Sequence, residues 1–158
     1  MPFQDEVSLR WARLEDCAQI AITELQSAEV ERRERPMTIS VTEMSEVWKR
    51  RLSGNARVIL AVRAPKPGAE ELLGFLSFRG ELSQGAVHAL YVSPRHLRHG
   101  IGRFLMDTAA HVVRMQGGHR LTVHVEMLNH GAQDFYRTLH FCASGVRSAH
   151  LIIMTKEV

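Results

Sequence analysis

The first half of the chain carries hydrophobic patterns that predict one strand followed by two helices. Residues Val7–Trp11 alternate apolar and polar side chains, as a half-buried strand does. From Cys17 to Ala28 apolar residues recur at the spacing of a helix, and a charged connection follows over residues 29–36. A second helix is expected to open at Thr42 and to run to about Leu52.

The second half alternates between strand and helix patterns. Aliphatic runs bounded by turns that contain Gly or Pro predict strands, and a long helical period after Pro94 predicts a helix. Short connections between the first three of these strands favour an antiparallel meander. The predicted elements are strands at Arg57–Arg63, Leu72–Arg79 and Ala86–Val92, a helix at Ile101–Met115, a strand at Leu121–Val125, a helix at Asn129–Leu139, and two closing strands after Phe141.

The resulting order, βααβββαβαββ, predicts an α/β class with a mixed sheet, in a single domain over residues 1–158. The amphipathic pattern of the long helix also predicts which of its faces is buried, since apolar residues three and four apart lie on one side. That face is expected to carry Ile101, Leu105, Thr108, Ala109 and Val112.

Composition narrows the choice of compartment and partners. The longest apolar runs are too short to cross a bilayer, so no membrane association is expected. Cys17 and Cys142 are too few for a disulfide framework, and we expect two buried thiols in a reducing, cytoplasmic compartment. The net charge is +3, but the arginines are scattered and only 6% of the residues are aromatic, so no nucleic-acid partner is predicted. We find no metal-ligand spacing and predict no metal.

A basic loop with two closely spaced glycines joins the third strand of the meander to the long helix. Gly100 and Gly102 allow the backbone to turn tightly and to approach a ligand closely. The amides at the start of a helix and the helix dipole favour an anion, and Arg98 and Arg103 can add charged hydrogen bonds. The loop therefore indicates a phosphate site. A Walker A loop is excluded because the Gly-Lys-Ser/Thr sequence is absent, and a dinucleotide fingerprint is excluded by Leu105.

Two segments resemble motifs of the GNAT superfamily of N-acetyltransferases. Leu90–Pro94 followed by Arg98–Gly102 resembles its acetyl-CoA signature, with Leu97 at the position where the family has Gln or Arg. Asn129–Phe141 resembles its Asn-x-x-Ala-x-x-Phe-Tyr-x-x-x-Gly-Phe block, with His140 at the position of the glycine. The resemblance implies a GNAT-type, mostly antiparallel mixed sheet flanked by helices.

The resemblance also implies a function and a set of cofactor contacts. An acetyl group would pass from acetyl-CoA, the co-substrate, to a primary amine of a small molecule or peptide by direct attack in a ternary complex. An amide near Val92 would polarise the thioester carbonyl, and Tyr136 would protonate the departing thiolate. The implied cofactor-binding residues are Leu90, Tyr91, Val92, Leu97, Arg98, His99, Gly100, Ile101, Gly102, Arg103, Asn129 and Tyr136.

Two histidines are candidates for the general base. His88 precedes Leu90 by two residues, and some polyamine acetyltransferases of the family carry a glutamate at the matching position. His124 matches the position where ribosomal-protein alanine acetyltransferases carry a catalytic glutamate. A neutral imidazole is suited to accept a proton near neutral pH. Tyr136, His88 and His124 are therefore the predicted catalytic residues.

Other interpretations remain open at this stage. The chain could be a catalytically silent module that binds acetyl-CoA and regulates, or a basic nucleic-acid binder, although the aromatic content leaves few stacking platforms. The resemblance implies acceptor contacts in residues 24–52 and in the turn at residues 80–84, which carry charges of both signs. It is also compatible with a homodimer.

Overall fold

The computed structural model of the protein describes residues 7–31, 38–64 and 68–158. Its strands are β1 (Val7–Trp11), β2 (Arg57–Arg63), β3 (Glu71–Phe78), β4 (Ala86–Val92), β5 (Arg120–Glu126), β6 (Cys142–Val146) and β7 (Leu151–Glu157). Its helices are α1 (Cys17–Glu31), α2 (Val41–Ser53), α3 (Ile101–Met115) and α4 (His130–Thr138). The predicted element order is confirmed. Most of the charged connection after α1 and most of the turn between β2 and β3 lie outside the described residues.

The seven strands form one mixed sheet in the order β1-β2-β3-β4-β5-β7-β6. β1 pairs with β2, β5 with β7 and β6 with β7, each in antiparallel orientation. β4 and β5 pair in parallel, aligning Ala86 with Thr122 and Val87 with Val123, because α3 crosses back between them. The predicted mixed, mostly antiparallel sheet flanked by helices is confirmed.

The chain divides into two compact units. The first contains Met1–Ser77 and Ala89–Leu105, and the second contains Phe78–His88 and Met106–Val158. The organisation as a single domain therefore stays a prediction. No helix in the described part of the chain is long and apolar enough to span a membrane.

The core of the first unit lies between its two helices and its strands. β2 buries five consecutive aliphatic residues, Val58 to Val62, as a strand covered on both faces does. From α2, Trp48 packs its ring edge-on against Phe75 of β3, with the ring centroids 5.3 Å apart. Such an aromatic pair adds about 1 kcal/mol to the burial of its apolar area. Cys17 at the start of α1 joins the same cluster.

In the second unit, the buried face of α3 is turned slightly from the predicted one. Ala109 is buried as expected, but Thr108 and Val112 are only half-buried. Met106 and Val113 are buried in their place. The polar Thr108 lies at the margin of the apolar face, because Met106 and Val113 offer more hydrophobic area for the core.

Three other expectations need correction. α2 begins at Val41, since the side chain of Ser40, and not Thr42, caps it by accepting a hydrogen bond from the N–H of Glu43. α1 continues past Ala28 to Glu31, because no helix-breaking residue interrupts that stretch. Cys17 is buried, and burial raises the pKa of its thiol, but Cys142 is exposed.

The exposure of Cys142 follows from its place in the sheet. β6 lies at the edge of the sheet, and all five of its residues are exposed. Its pairing with β7 shifts register between Ala143 and Gly145. A bulge at an edge strand interrupts the regular row of backbone groups that another strand could join.

Candidate functional site

The loop after β4 belongs to the first unit and is held at its base by hydrogen bonds. The N–H of Ser93 donates to the carbonyl oxygen of Leu73 on β3, over 2.8 Å. The hydroxyl of Ser27 on α1 donates to the carbonyl oxygen of Val92, also over 2.8 Å. The end of β4 is therefore fixed from the strand beside it and from α1.

Close packing of β3 on β4 fixes the same strand end from a third direction. A Cβ added at Gly74 would lie 2.9 Å from the carbonyl oxygen of Tyr91 and 3.1 Å from Cγ2 of Ile101. No side chain larger than hydrogen fits there without a shift of the main chain. Tyr91 and Leu90 are half-buried on β4, and the ring of Tyr91 lies 5.6 Å from that of Phe75.

The loop itself exposes its main chain where α3 begins. Gly100 has φ +80°, and a Cβ built there meets no atom within 4 Å. Arg98 adopts φ +64°, which costs a residue with a side chain about 1–2 kcal/mol. The N–H of Phe104 donates to the carbonyl oxygen of Gly100, and helix geometry leaves the amides of residues 101–103 without intrahelical acceptors. The arrangement suits an anion.

The predicted loop residues divide into exposed and buried ones. Ile101 and Gly102 are buried. The side chain of Leu97 is 46% exposed, so this leucine is not part of the core. The exposed residues of the loop are Leu97, Arg98, His99, Gly100 and Arg103.

A hydrogen-bond network under this loop was missed by the sequence analysis. His96, buried in the turn that follows β4, places its Nε2 2.9 Å from Oε1 of Glu71 at the start of β3. Arg63 on β2 donates to the other carboxylate oxygen over 2.8 Å. These hydrogen bonds, first that of Arg63 and then that of His96, lower the pKa of Glu71. The loop is thus tied to two strands.

In the second unit, α4 positions Asn129 and Tyr136. Oδ1 of Asn129 accepts a hydrogen bond from the N–H of Ala132 over 3.0 Å, so this side chain caps α4. The side-chain amide of the buried Gln133, which the sequence analysis did not single out, donates to the carbonyl oxygens of Glu126 and Met127 and joins α4 to the end of β5.

The ring of Tyr136 is half-buried between two phenylalanines. Its centroid lies 5.3 Å from that of Phe135 and 5.4 Å from that of Phe141. His140, at the position of the family glycine, has φ +72° and ends the helix in the left-handed conformation that glycine favours.

The two candidate bases, both in the second unit, line one cavity of about 340 Å³, which we call the histidine cavity. Nδ1 of His88 lies 2.6 Å from Nη2 of Arg79, the first residue after β3. Nδ1 of His124 lies 3.1 Å from Nη1 of Arg147, in the turn between β6 and β7. The histidine cavity is lined by Arg79, Ala86, Val87, His88, Thr122, His124, Arg147 and Leu151.

The arginines determine which tautomer each neutral imidazole adopts. A guanidinium has donors only, so each Nδ1 must be the acceptor, and each neutral ring carries its hydrogen on Nε2. Burial, and then the charges of Arg147 and Arg79, lower the pKa of His124 and favour its neutral form. In this arrangement the ring of His124 is a hydrogen-bond donor through Nε2.

The structure thus groups the predicted residues in two sets. The loop residues and Leu90–Val92 belong to the first unit, whereas Asn129, Tyr136 and both histidines belong to the second. Within the second unit His88 and His124 share a cavity, and Asn129 caps the helix that carries Tyr136. Among the described residues no group of three or more His, Cys, Asp or Glu side chains could hold a metal ion.

Comparison with known proteins identifies relatives at the level of family and fold. Residues 14–141 match the profile of the acetyltransferase (GNAT) family. A comparison with curated protein sequences finds no match. Solved structures with the same fold include several described as acetyltransferases.

Three of these structures contain a cofactor. The PaiA N-acetyltransferase of Thermoplasma acidophilum, in complex with coenzyme A, is 16% identical, with a TM-score of 0.78 over 96% of this chain and 99% of that one. The spermidine N-acetyltransferase of Vibrio cholerae, with CoA and spermine, is 18% identical, with a TM-score of 0.71 over 97% and 96%. The yncA protein of Salmonella typhimurium, with acetyl-CoA, is 21% identical, with a TM-score of 0.66 over 96% and 94%.

Proposed function

The chain belongs to the acetyltransferase (GNAT) family, and from that premise we propose that it is an acetyl-CoA-dependent N-acetyltransferase. The acceptor is a primary amine of a small molecule or peptide, which attacks the thioester directly in a ternary complex. Similar folds solved with CoA, acetyl-CoA and spermine support a thioester donor and an amine acceptor.

The observation that carries the proposal is the exposed main chain at the start of α3. Gly100 leaves open space where a Cβ would stand, and the helix dipole and first-turn amides favour a diphosphate there. Arg98 and Arg103, both exposed, can add charged hydrogen bonds. Three supports under the loop, from Ser27, Leu73 and Glu71, keep this surface in place.

Acetyl-CoA supplies the activated acetyl group and the leaving thiolate. We propose that an amide near Val92 stabilises the negative charge that develops on the carbonyl oxygen during attack. As the C–S bond breaks, Tyr136 donates its hydroxyl proton to the thiolate sulfur and later recovers a proton from solvent. Asn129 combines helix capping with a hydrogen bond to the pantetheine arm. The products are an acetamide and CoA thiol.

His88 and His124 are proposed to contact the acceptor or the water that takes its proton. Because the arginines occupy Nδ1, either ring accepts a proton only after its arginine moves away, at Nδ1 directly or at Nε2 once the tautomer has changed. Deleting a histidine that acts as base would lower kcat/KM most on the alkaline side of its pKa, where the neutral base is needed. Deleting one that only orients the acceptor would raise KM at every pH.

The proposal is tested by following thiol release from acetyl-CoA with a panel of amines and peptides. Tyr136→Phe should lower kcat and leave acetyl-CoA affinity unchanged, because the hydroxyl acts only when the thiolate leaves. Thr138→Val is the matched control, since it removes another hydroxyl from α4, one that bonds the Phe135 carbonyl. Binding of acetyl-CoA without turnover of any acceptor would identify a silent regulatory module. Absence of binding would overturn the proposal entirely.

Two wider expectations remain predictions. The cytoplasmic location is inferred from the small number of cysteines. A homodimer is implied only by the family resemblance and is tested by sedimentation of the full chain. The implied acceptor contacts between residues 32 and 37 lie outside the described part of the chain.

A further inference from the structure

The lining of the histidine cavity is rich in hydrogen-bond donors. A guanidinium has five N–H donors, and the bond to an imidazole uses one, so Arg79 and Arg147 each keep further donors. The neutral ring of His124 adds an N–H at Nε2. Thr122 contributes a hydroxyl that can donate or accept. The ligand best matched to such a lining is an acceptor of several hydrogen bonds.

The charge of the lining is positive and is not balanced within it. Two guanidiniums line the cavity, and among the residues that the structure describes no carboxylate lines it. Glu126 shares a face of β5 with His124 but does not line the cavity. A polyamine would bring further positive charge to this surface, whereas a carboxylate or phosphate would bring the opposite charge and a geometry that matches the guanidinium fork.

We propose that the acceptor carries a carboxylate or phosphate in addition to its amine, and that Arg79 and Arg147 bind this anionic group. The inference rests on the proposed acetyltransferase function and names its substrate class. It assigns the turns after β3 and after β6 to acceptor recognition. The hydrogen bonds from the arginines to the histidines hold the guanidiniums over the cavity before the acceptor arrives.

The test compares acceptors that share an amine and differ in charge. β-Alanine and aminoethyl phosphate carry an anion, the amide of β-alanine is its neutral counterpart, and the diamine of the same length is cationic. The wild-type protein should acetylate one or both anionic acceptors with the highest kcat/KM, and the better of the two distinguishes a carboxylate from a phosphate. Higher kcat/KM for the diamine or the amide would overturn the inference and leave the proposed function standing.

Substitutions then assign the effect to the two arginines. Arg79→Gln and Arg147→Gln should each lower kcat/KM for the anionic acceptor by roughly 10- to 100-fold, the loss expected for a hydrogen bond between charged groups. Each loss should be larger for the anionic acceptor than for the neutral amide, for which only the contact of the arginine with its histidine changes, and the KM for acetyl-CoA should be unaffected. Arg147→Lys, which keeps the charge without the fork, should recover part of the loss. Arg114→Gln makes the same charge change at an exposed position on α3 that does not line the cavity, and should have no effect.

A binding measurement keeps the inference testable if no acceptor is turned over. β-Alanine, its amide and the diamine are titrated calorimetrically into the CoA-saturated protein, so that the phosphate site is already filled. Preferential binding of β-alanine that is weakened by both Gln variants supports the anion site, even when the acetyltransferase proposal fails. Equal binding of the three probes, or binding unchanged in both variants, overturns it.

Discussion

Two glycines at opposite ends of α3 allow the role of the loop to be separated from its backbone conformation. Gly100 precedes the helix with φ +80°, and Gly117 follows it with φ +83°. A Cβ built at either position meets no atom within 4 Å. Gly100→Ala and Gly117→Ala therefore impose the same backbone penalty, but only the first adds a methyl group to the proposed phosphate surface.

The expected loss of stability is small and equal for both variants. A left-handed residue with a side chain costs about 1–2 kcal/mol, and alanine recovers about 0.5–1 kcal/mol because it restricts the unfolded chain. The net loss is about 1 kcal/mol, which lowers Tm by about 2–4 °C in a protein of this size.

The stabilisation by bound CoA should differ between Gly100→Ala and Gly117→Ala. At a CoA concentration 100 times the wild-type Kd, binding adds about 2.7 kcal/mol to the free energy of unfolding. Gly117→Ala should keep this increment. In Gly100→Ala the loss of one hydrogen bond to phosphate, about 1.5–3 kcal/mol, weakens binding about tenfold or more. The increment then falls to about 1.4 kcal/mol or less.

Thermal unfolding with and without CoA, together with calorimetric Kd values, checks these magnitudes. If Gly100→Ala keeps the full increment, the loop does not hold the cofactor as proposed. If Gly117→Ala loses as much of the increment as Gly100→Ala, the effect on binding comes from a change in α3 and not from contact at Gly100.

Four further predictions concern α4, the thiols and acid stability. Asn129→Ala should lower the free energy of unfolding by about 1 kcal/mol because α4 loses its cap, whereas Asn129→Ser should keep most of that stability. If the wild-type protein and both variants had the same denaturation midpoint, the capping role would be contradicted. His140→Gly should raise the free energy of unfolding by up to about 1 kcal/mol, because it relieves a left-handed conformation; a lowered midpoint would show that the imidazole itself stabilises the turn. Cys142 should react rapidly with a thiol reagent, whereas Cys17 should react only when the protein unfolds. Rapid reaction of both thiols in the folded protein would refute the packing of α1. Because the pKa of Glu71 is lowered in the folded state, its contribution to the free energy of unfolding is fully present above its ordinary pKa and is lost as pH falls through the lowered value. Glu71→Gln should therefore make the free energy of unfolding less dependent on pH in acid. An unchanged dependence would contradict the pairing of Glu71 with Arg63 and His96.

The sequence predicts the order of elements well because local periodicity and turn residues determine it. β2, β4 and α3 have the predicted bounds, since each has a strong apolar pattern ending at Gly, Pro or a charged residue. The error in the buried face of α3 is one of phase. Thr108 lies two residues from Met106 and Val112 lies next to Val113, and only tertiary packing decides which of these positions join the core.

The candidate site is less predictable where its contacts join distant residues. The pair of His96 and Glu71 spans 25 positions, and that of His124 and Arg147 spans 23. No local pattern indicates such partners, so the histidines could be singled out but not their arginines. The exposure of Cys142 has the same origin, because a cysteine side chain does not indicate whether its strand lies at a sheet edge.

The four charged or titratable residues of the histidine cavity differ in how they are supported. His88 and His124 stand on strands, whereas Arg79 follows β3 and Arg147 lies in the turn between β6 and β7. Turns tolerate replacement, insertion and deletion far better than the strands that they join. During divergence, a lineage could therefore exchange these two arginines and acquire a new acceptor while inheriting the imidazoles unchanged. Substrate preference would then evolve faster than the sheet that supports it.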